Sequence, residues 1–332
     1  IMSSDWSSDV CSSDLIGLAL LIWGADRFVV GAAGTARNLG VPTLLIGLTI
    51  VGFATSAPEI LVSVVAAIAG RPSLALGNAI GSNIANIALV LGAVAAVRPI
   101  LVTSTILRRE MPLLLAVTLL TLALFLDLRL TRVDGFVLLG VLFVVLYWIV
   151  RLGLGSRATD PIEAEYEAEI PRDMPMRTAV LWLAVGLAVL LVGSELLVDG
   201  AIQLARELGV SELVIGVTLV AIGTSLPELA VSLMSALKGE QGLAIGNILG
   251  SNMFNLLAVI GLAVAIHPAT VEPVVLTLHF FVMVAVTLVL FAMTYNYVDA
   301  GRIGRLEGVA LLVAFLAYHA YVVSQNLGQP VT

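Results

Sequence analysis

Slid along itself by 169 residues, the chain finds its own image: between Ile16 and Pro99 on one side and Val185 and Pro268 on the other, 38 of 84 ungapped positions are identical. A duplication of this size constrains the fold more than any local signal, because whatever the first copy builds the second must build again. The identities concentrate in "IGLT" against "IGVT", "TSAPE" against "TSLPE", and "GNAIGSNIAN" against "GNILGSNMFN".

The medium of that fold follows from composition. The 332 residues are 60% hydrophobic and 12% charged, with a mean hydropathy of +1.08, far above the range of water-soluble domains. Apolar runs near 16–36, 44–69, 73–97, 107–127, 133–150, 179–200, 213–237, 242–266, 273–294 and 307–324 each have about the length a helix needs to cross the hydrocarbon core. None alternates with period two, as the strands of a membrane barrel would. The expected fold is therefore an all-α integral membrane protein of ten transmembrane helices.

Equivalent positions in the two copies lie five helices apart, so the copies enter the membrane from opposite sides. An inverted pair of five-helix repeats is the expectation, a plan shared by many secondary transporters. Loops 1-2, 3-4, 5-6, 7-8 and 9-10 hold 11 Lys or Arg residues and the opposite face four, which predicts both termini outside a plasma or inner membrane. The division expected is a first repeat over 16–150, a cytoplasmic acidic linker over 151–178 and a second repeat over 179–332. The stretch "SSDWSSDVCSSDL" repeats Ser-Ser-Asp three times and over 9–15 can be back-translated into the end of a sequencing adapter; residues 1–15 are expected to be a non-native or disordered tail. It holds the only cysteine, Cys11, so the chain has no disulfide or cysteine-based metal site. The net charge of −7 leaves no basic patch for nucleic acid, and the lipid bilayer is the expected surrounding of what is expected to be a monomer.

Inside the second and seventh runs stand Pro58-Glu59 and Pro227-Glu228. A carboxylate at that depth costs a few kcal/mol and must face protein or a watery cavity. Each proline removes a backbone donor, which predicts a break with freed carbonyls around Gly52 and Ala221. Thr55, Ser56, Thr224 and Ser225 add hydroxyls, so each string offers only hard oxygen donors. In the next runs Gly77, Gly81, Gly246 and Gly250 predict close packing or a further break, so helices 2, 3, 7 and 8 are all expected to be broken. Ser82 and Asn86 share a helix face, as do Ser251 and Asn255. Folding inverted halves together would gather these groups at the midplane. Oxygen ligands with two negative charges suit Ca²⁺ or Na⁺, not Zn²⁺ or Cu²⁺.

The paired "TS(A/L)PE" and "GNxxGSNxxN" blocks resemble the α-repeats of the sodium/calcium exchanger family of the cation/Ca²⁺ antiporter superfamily, prokaryotic type, over about 16–102 and 185–271. The resemblance implies a non-enzymatic antiporter without cofactors that exchanges Na⁺ for Ca²⁺, with helices 1 and 6 sliding against the other eight as the gate. It implies that Glu59 and Glu228 are the central ligands of Ca²⁺, shared with Na⁺. Thr55, Ser56, Thr224 and Ser225 would form flanking Na⁺ sites with Ser82, Ser251 and the carbonyls of Gly52 and Ala221; Asn86 and Asn255 would complete the centre. Two positions depart from the pattern: Asn255 stands where an aspartate is usual, and Ala54 where a glycine is. The first leaves proton or K⁺ coupling open as an alternative, and a passive cation channel stands behind both. An intramembrane enzyme would need a nucleophile with a base or a metal triad, and the sequence offers neither.

Structural roles are expected elsewhere: interhelical hydrogen bonds for Asn78, Asn83, Asn247 and Asn252, anchoring near helix ends for Asp26 and Glu195, a helix-end charge for Asp199, and a solvated linker for the acidic loop 160–173. His267, His279 and His319 look scattered, and Trp23, Trp148 and Trp182 read as interfacial anchors.

Overall fold

A computed structural model describes residues 4–41, 43–102, 107–155, 174–207, 210–294 and 301–327. Those residues are almost entirely helical. In chain order the elements are α1 (Ser4–Leu39), α2 (43–55), α3 (Ala57–Ile68), α4 (Pro72–Val97), β1 (Ile100–Val102), α5 (Leu107–Phe125), β2 (Arg129–Leu130), α6 (Arg132–Gly155), α7 (Met176–Glu207), α8 (212–224), α9 (Leu226–Leu237), α10 (Gln241–Ile266), β3 (Ala269–Thr270), α11 (Val275–Thr294), β4 (Gly301–Ile303) and α12 (Arg305–Leu327). Among the described residues seven helices are long and apolar enough to cross a membrane, or eight when α2 and α3 count as one bent span. Helix α1 starts within the Ser/Asp-rich stretch, at Ser4. The acidic loop 160–173 and the side chains of Glu195 and Asp199 lie outside the description.

The four helices that carry the repeated strings form the centre. In α10 and α4, 89% and 78% of the most apolar stretch is buried, against 28% in α6 and α12, which sets the latter two at the periphery. The centre is built by glycine at helix crossings. Helix α2 crosses α10 where Gly47 meets Gly246 and where Gly52 and Leu48 meet Gly250; α8 crosses α4 where Gly216 meets Gly77 and where Val217 and Ala221 meet Gly81. At these points backbones touch, which is how membrane helices gain packing energy when lipid supplies no hydrophobic drive. The turns after α3 and α9 are made by Gly70 and Gly239, whose φ of 72° and 85° fall in the left-handed region that ends a helix cheaply.

Peripheral helices lock the two copies together crosswise. Gly135 of α6 packs against Gly261 and Ala265 of α10, and Gly308 of α12 against Gly92 and Ala96 of α4. Two short antiparallel pairings add to this, Ile100–Val102 with Gly301–Ile303 and Arg129–Leu130 with Ala269–Thr270. Helices α1 and α7 pack along one another as a separate pair, with Trp23 and Trp182 edge to face at 6.3 Å and Arg27 over the Trp182 ring at 4.8 Å. These tryptophans thus also join the two helices to each other.

Three further expectations change. Helices 3 and 8 are not broken: α4 and α10 run through from Pro72 to Val97 and from Gln241 to Ile266, each with a π-helical stretch, Ala85–Leu91 and Asn255–Val259. They lack an internal proline, and their glycines serve close approach instead. Asp26 lies well inside α1 and makes an ion pair of 2.8 Å with Lys238 at the end of α9, so its partner is the central bundle rather than a headgroup layer. His279 and His319 are not scattered either; they meet around Tyr318, whose hydroxyl lies 2.6 Å from His279 Nδ1.

The crossings give a direct test. A Cβ on Gly250 would sit 2.5 Å from the Leu48 carbonyl oxygen, whereas one on Gly140 of α6 would meet nothing within 4 Å. Gly250→Val is expected to cost about 1–3 kcal/mol, as overpacking does, and to lower the thermal midpoint of the purified protein clearly below that of Gly140→Val. Equal midpoints for the two variants would contradict the crossing.

Candidate functional site

Helix α2 gives way to α3 at Ser56, and α8 to α9 at Ser225. The backbone there has nearly the same shape in both copies, φ −79° and ψ 5° at Ser56, φ −83° and ψ 1° at Ser225. Pro58 and Pro227 sit in the first turn of the new helix, where a missing N–H is tolerated. The bend between α2 and α3 is 49°, while α8 and α9 together read as one span, Glu212–Leu237.

The carbonyls expected to be freed keep their helical donors. Gly52 O still accepts from Ser56 N at 3.1 Å, and Ala221 O from Ser225 N at 3.1 Å. The residues four beyond Ala54 and Gly223 are Pro58 and Pro227, which have no N–H to give, and the capping backbone N–H at each turn reaches the Ala54 and Gly223 carbonyls instead. Gly52 O keeps a second lone pair toward the site, since Ser251 Oγ lies 3.5 Å from it.

Glu59 and Glu228 are both fully buried and lie close enough to repel each other when ionised. Their surroundings differ. Oε1 of Glu228 accepts from Ser56 Oγ and from Ser251 Oγ, each at 3.2 Å. Among the described residues neither oxygen of Glu59 makes a hydrogen bond of full geometry, although the Thr224 hydroxyl lies beside the carboxylate, and Oε2 of Glu228 makes none either. Asn86 and Asn255, also fully buried, have no partner there for either amide atom, nor does Ser225 for its hydroxyl. Buried polar groups are nearly always bonded, and a cluster of exceptions asks for a ligand. The orphan atoms here are mostly oxygens around two carboxylates, a donor set suited to a hard cation and unsuited to an anion or an apolar molecule.

The remaining hydroxyls close the ring. Thr55 Oγ1 donates to Asn247 Oδ1 at 2.9 Å and lies 3.4 Å from Ser251 Oγ; Thr224 Oγ1 donates to Asn78 Oδ1 at 3.2 Å and lies 3.5 Å from Ser82 Oγ. Each contact joins the α2–α3 or α8–α9 string of one copy to the GN string of the other. Of the groups singled out from sequence, Thr55, Ser56, Ser251, Glu228 and the Gly52 carbonyl are thus linked by close contacts, as are Thr224 and Ser82, and Asn86 and Asn255 occupy the π-helical stretches that follow.

Sequence reading missed one layer. Asn78 Nδ2 donates to Ser63 Oγ at 3.0 Å and to the Glu59 carbonyl at 3.2 Å; Asn247 Nδ2 donates to Ser232 Oγ at 2.9 Å and to the Glu228 carbonyl at 3.3 Å. The signal was available, because Ser63 and Ser232 sit one helical turn after the glutamates and are identical in both copies. Asn83 and Asn252 bond within their own helices, to Ala79 O and Ile248 O.

Comparison with known proteins meets the same motifs. The model of the family described as sodium/calcium exchanger protein matches residues 15–151 and 178–324, which together make up most of the chain. CaxA of Alkalimonas amylolytica is 51% identical over 308 residues, covering 92% of this chain and 95% of that one. The inner membrane protein YrbG of Escherichia coli is 40% identical over 308 residues, covering 92% and 94%. Among solved structures, the sodium-calcium exchanger NCX_Mj soaked with Na⁺ and Sr²⁺ matches with a TM-score of 0.79 at 35% identity, over 94% of this chain and 97% of that one. A duplicated oxygen-rich string around two buried carboxylates and a family match across both copies lead to one conclusion: the chain is a multi-pass membrane protein of the sodium/calcium exchanger family.

Proposed function

We propose that the protein exchanges Na⁺ for Ca²⁺ by alternating access at a single site between α2–α3, α4, α8–α9 and α10. In this reading Ca²⁺ and Na⁺ are substrates and no cofactor takes part. The carrying observation is the set of orphan atoms on Glu59, Glu228, Asn86, Asn255 and Ser225, all on repeated strings and without a hydrogen bond of full geometry among the described residues. Glu59 and Glu228 ligate Ca²⁺ and share their oxygens with Na⁺, with Asn86 and Asn255 beside them. Thr55, Ser56, Ser82, Thr224, Ser225, Ser251 and the carbonyls of Gly52 and Ala221 serve Na⁺. Two carboxylates balance one Ca²⁺, and neutral oxygens then suffice for the weaker-binding monovalent ion.

Two features favour transport over permanent metal binding. Among the described residues no group of three His, Cys, Asp or Glu side chains converges, so the site lacks the charge of a tight structural metal centre. A carried ion has to leave, which calls for moderate affinity. Helices α1 and α7 pair with each other more than with the centre, which supports their moving as the gate.

The rest of the reading is architectural. The chain would form ten spans as two inverted repeats, 16–150 and 179–332, joined by a cytoplasmic linker over 151–178, with residues 1–15 a non-native extension that from Ser4 onward is helical rather than a disordered tail. The protein would sit as a monomer in the inner membrane, both termini outside. The 169-residue offset and the crosswise packing of α6 on α10 and α12 on α4 support this plan.

The test is Ca²⁺ uptake into Na⁺-loaded proteoliposomes diluted into Na⁺-free buffer, beside K⁺-loaded and acid-loaded vesicles. Uptake is expected with internal Na⁺ alone; uptake that follows the K⁺ or proton gradient would keep the fold and reassign the coupling ion. Glu59→Gln and Glu228→Gln are each expected to abolish uptake with folded protein retained. Near-normal transport by either would overturn the site.

Asn255→Asp would bring a third carboxylate to the same cage. Its expected effect is a change of about tenfold or more in Ca²⁺ half-saturation, the scale of one added charged ligand, or a new pH dependence of uptake. A variant identical to the parent in both respects would remove Asn255 from the ligand set.

A further inference from the structure

The hydroxyl of a threonine carries one proton, and where that proton goes decides what its oxygen and its neighbours offer a cation. Thr55 Oγ1 has the Glu228 carboxylate nearby and three oxygens at measured contact: Asn247 Oδ1 at 2.9 Å, Ser251 Oγ at 3.4 Å and Gly52 O at 3.5 Å. The last two belong to the proposed ligand set, and the first does not. Asn247 holds its amide in place with both amino hydrogens, one to Ser232 Oγ at 2.9 Å and one to the Glu228 carbonyl at 3.3 Å. Its oxygen is therefore fixed toward Thr55, and the shortest of the three contacts draws the proton.

We infer that Asn247 is a positioning residue for Na⁺: it takes the Thr55 proton onto an oxygen outside the cage, so that the lone pairs of Thr55 Oγ1, Ser251 Oγ and Gly52 O face the ion. Without that acceptor the proton turns to Gly52 O or Ser251 Oγ. A ligand oxygen then becomes occupied, and the hydroxyl hydrogen points toward the cation's side of Thr55. The inference rests on the exchange reading and adds a residue to it.

The two copies are not equal in this respect. Thr224 Oγ1 lies 3.2 Å from Asn78 Oδ1 but only 3.0 Å from Val220 O, a helix carbonyl outside the proposed ligand set. Loss of the Asn78 acceptor leaves the Thr224 proton a harmless destination. The sensitivity of Na⁺ affinity is thereby placed on the second copy's asparagine and the first copy's threonine.

A mutant cycle on Na⁺ half-saturation tests this in the full chain in proteoliposomes. Asn247→Leu keeps the side-chain volume and removes the acceptor. It is expected to raise Na⁺ half-saturation about tenfold, the scale of one hydrogen-bonded ligand, while Ca²⁺ half-saturation moves less than about threefold, well within that scale. Asn78→Leu is expected to shift Na⁺ clearly less. In a Thr55→Val background, which has no proton to place, Asn247→Leu is expected to add nothing.

An equal further loss of Na⁺ affinity in both backgrounds, or parallel losses for Na⁺ and Ca²⁺, would make Asn247 a structural clamp and overturn the inference. Asn247→Ser, which withdraws the acceptor with a smaller side chain, replaces the leucine variant should that fail to fold; failure of both to give folded protein would also make the amide a clamp. Parent protein whose uptake ignores Na⁺ removes the exchange reading itself. Na⁺-driven parent uptake with an additive cycle removes only the role of Asn247.

Discussion

Two fully buried carboxylates govern the structure. An ionised carboxylate taken out of water loses far more solvation than one hydrogen bond returns, so it persists only where protein groups or a cation replace the solvent. The protein meets this by doing the same thing twice. Each glutamate follows a proline in the first turn of a helix, and beside it a threonine of that same string bonds an asparagine of the other copy. Neither copy can complete its own cage.

That mutual dependence explains the packing. Oxygens from two helix pairs can surround one centre only if the backbones approach closely, and the glycines at the α2–α10 and α8–α4 crossings provide that approach. The peripheral helices then clamp the copies crosswise, α6 on α10 and α12 on α4. The cage is nevertheless uneven: Glu228 accepts from two hydroxyls at 3.2 Å, while among the described residues Glu59 has only the Thr224 hydroxyl beside it and no hydrogen bond of full geometry. Identical residues on the two sides thus give one carboxylate that is fixed and one whose oxygens are free for a cation.

Much of this was readable beforehand because duplication magnifies weak signals. A single Thr-Ser-x-Pro-Glu string means little; two copies 169 residues apart, each followed by Gly-Ser-Asn, identify the residues that matter. The errors have physical causes. A glycine in a membrane helix can break it or let a neighbour in, and composition does not distinguish these, so α4 and α10 were expected to be interrupted and are continuous. A proline deprives the carbonyl four residues back, which is Ala54 or Gly223 rather than Gly52 or Ala221, and the capping N–H of each turn makes up for it. Contacts between distant helices, such as Asp26 with Lys238 or His279 with Tyr318, leave no trace in local sequence. The amide layer of Asn78 and Asn247 was foreseen as hydrogen bonding but not as the link between copies.

The central claim is that Na⁺ and Ca²⁺ compete for one set of oxygens around Glu59 and Glu228. The most direct measurement is equilibrium Ca²⁺ binding to the purified protein at rising Na⁺, with K⁺ holding ionic strength constant. Shared ligands predict an apparent Ca²⁺ affinity that falls steeply as Na⁺ replaces K⁺. Ca²⁺ binding indifferent to that replacement would contradict the claim.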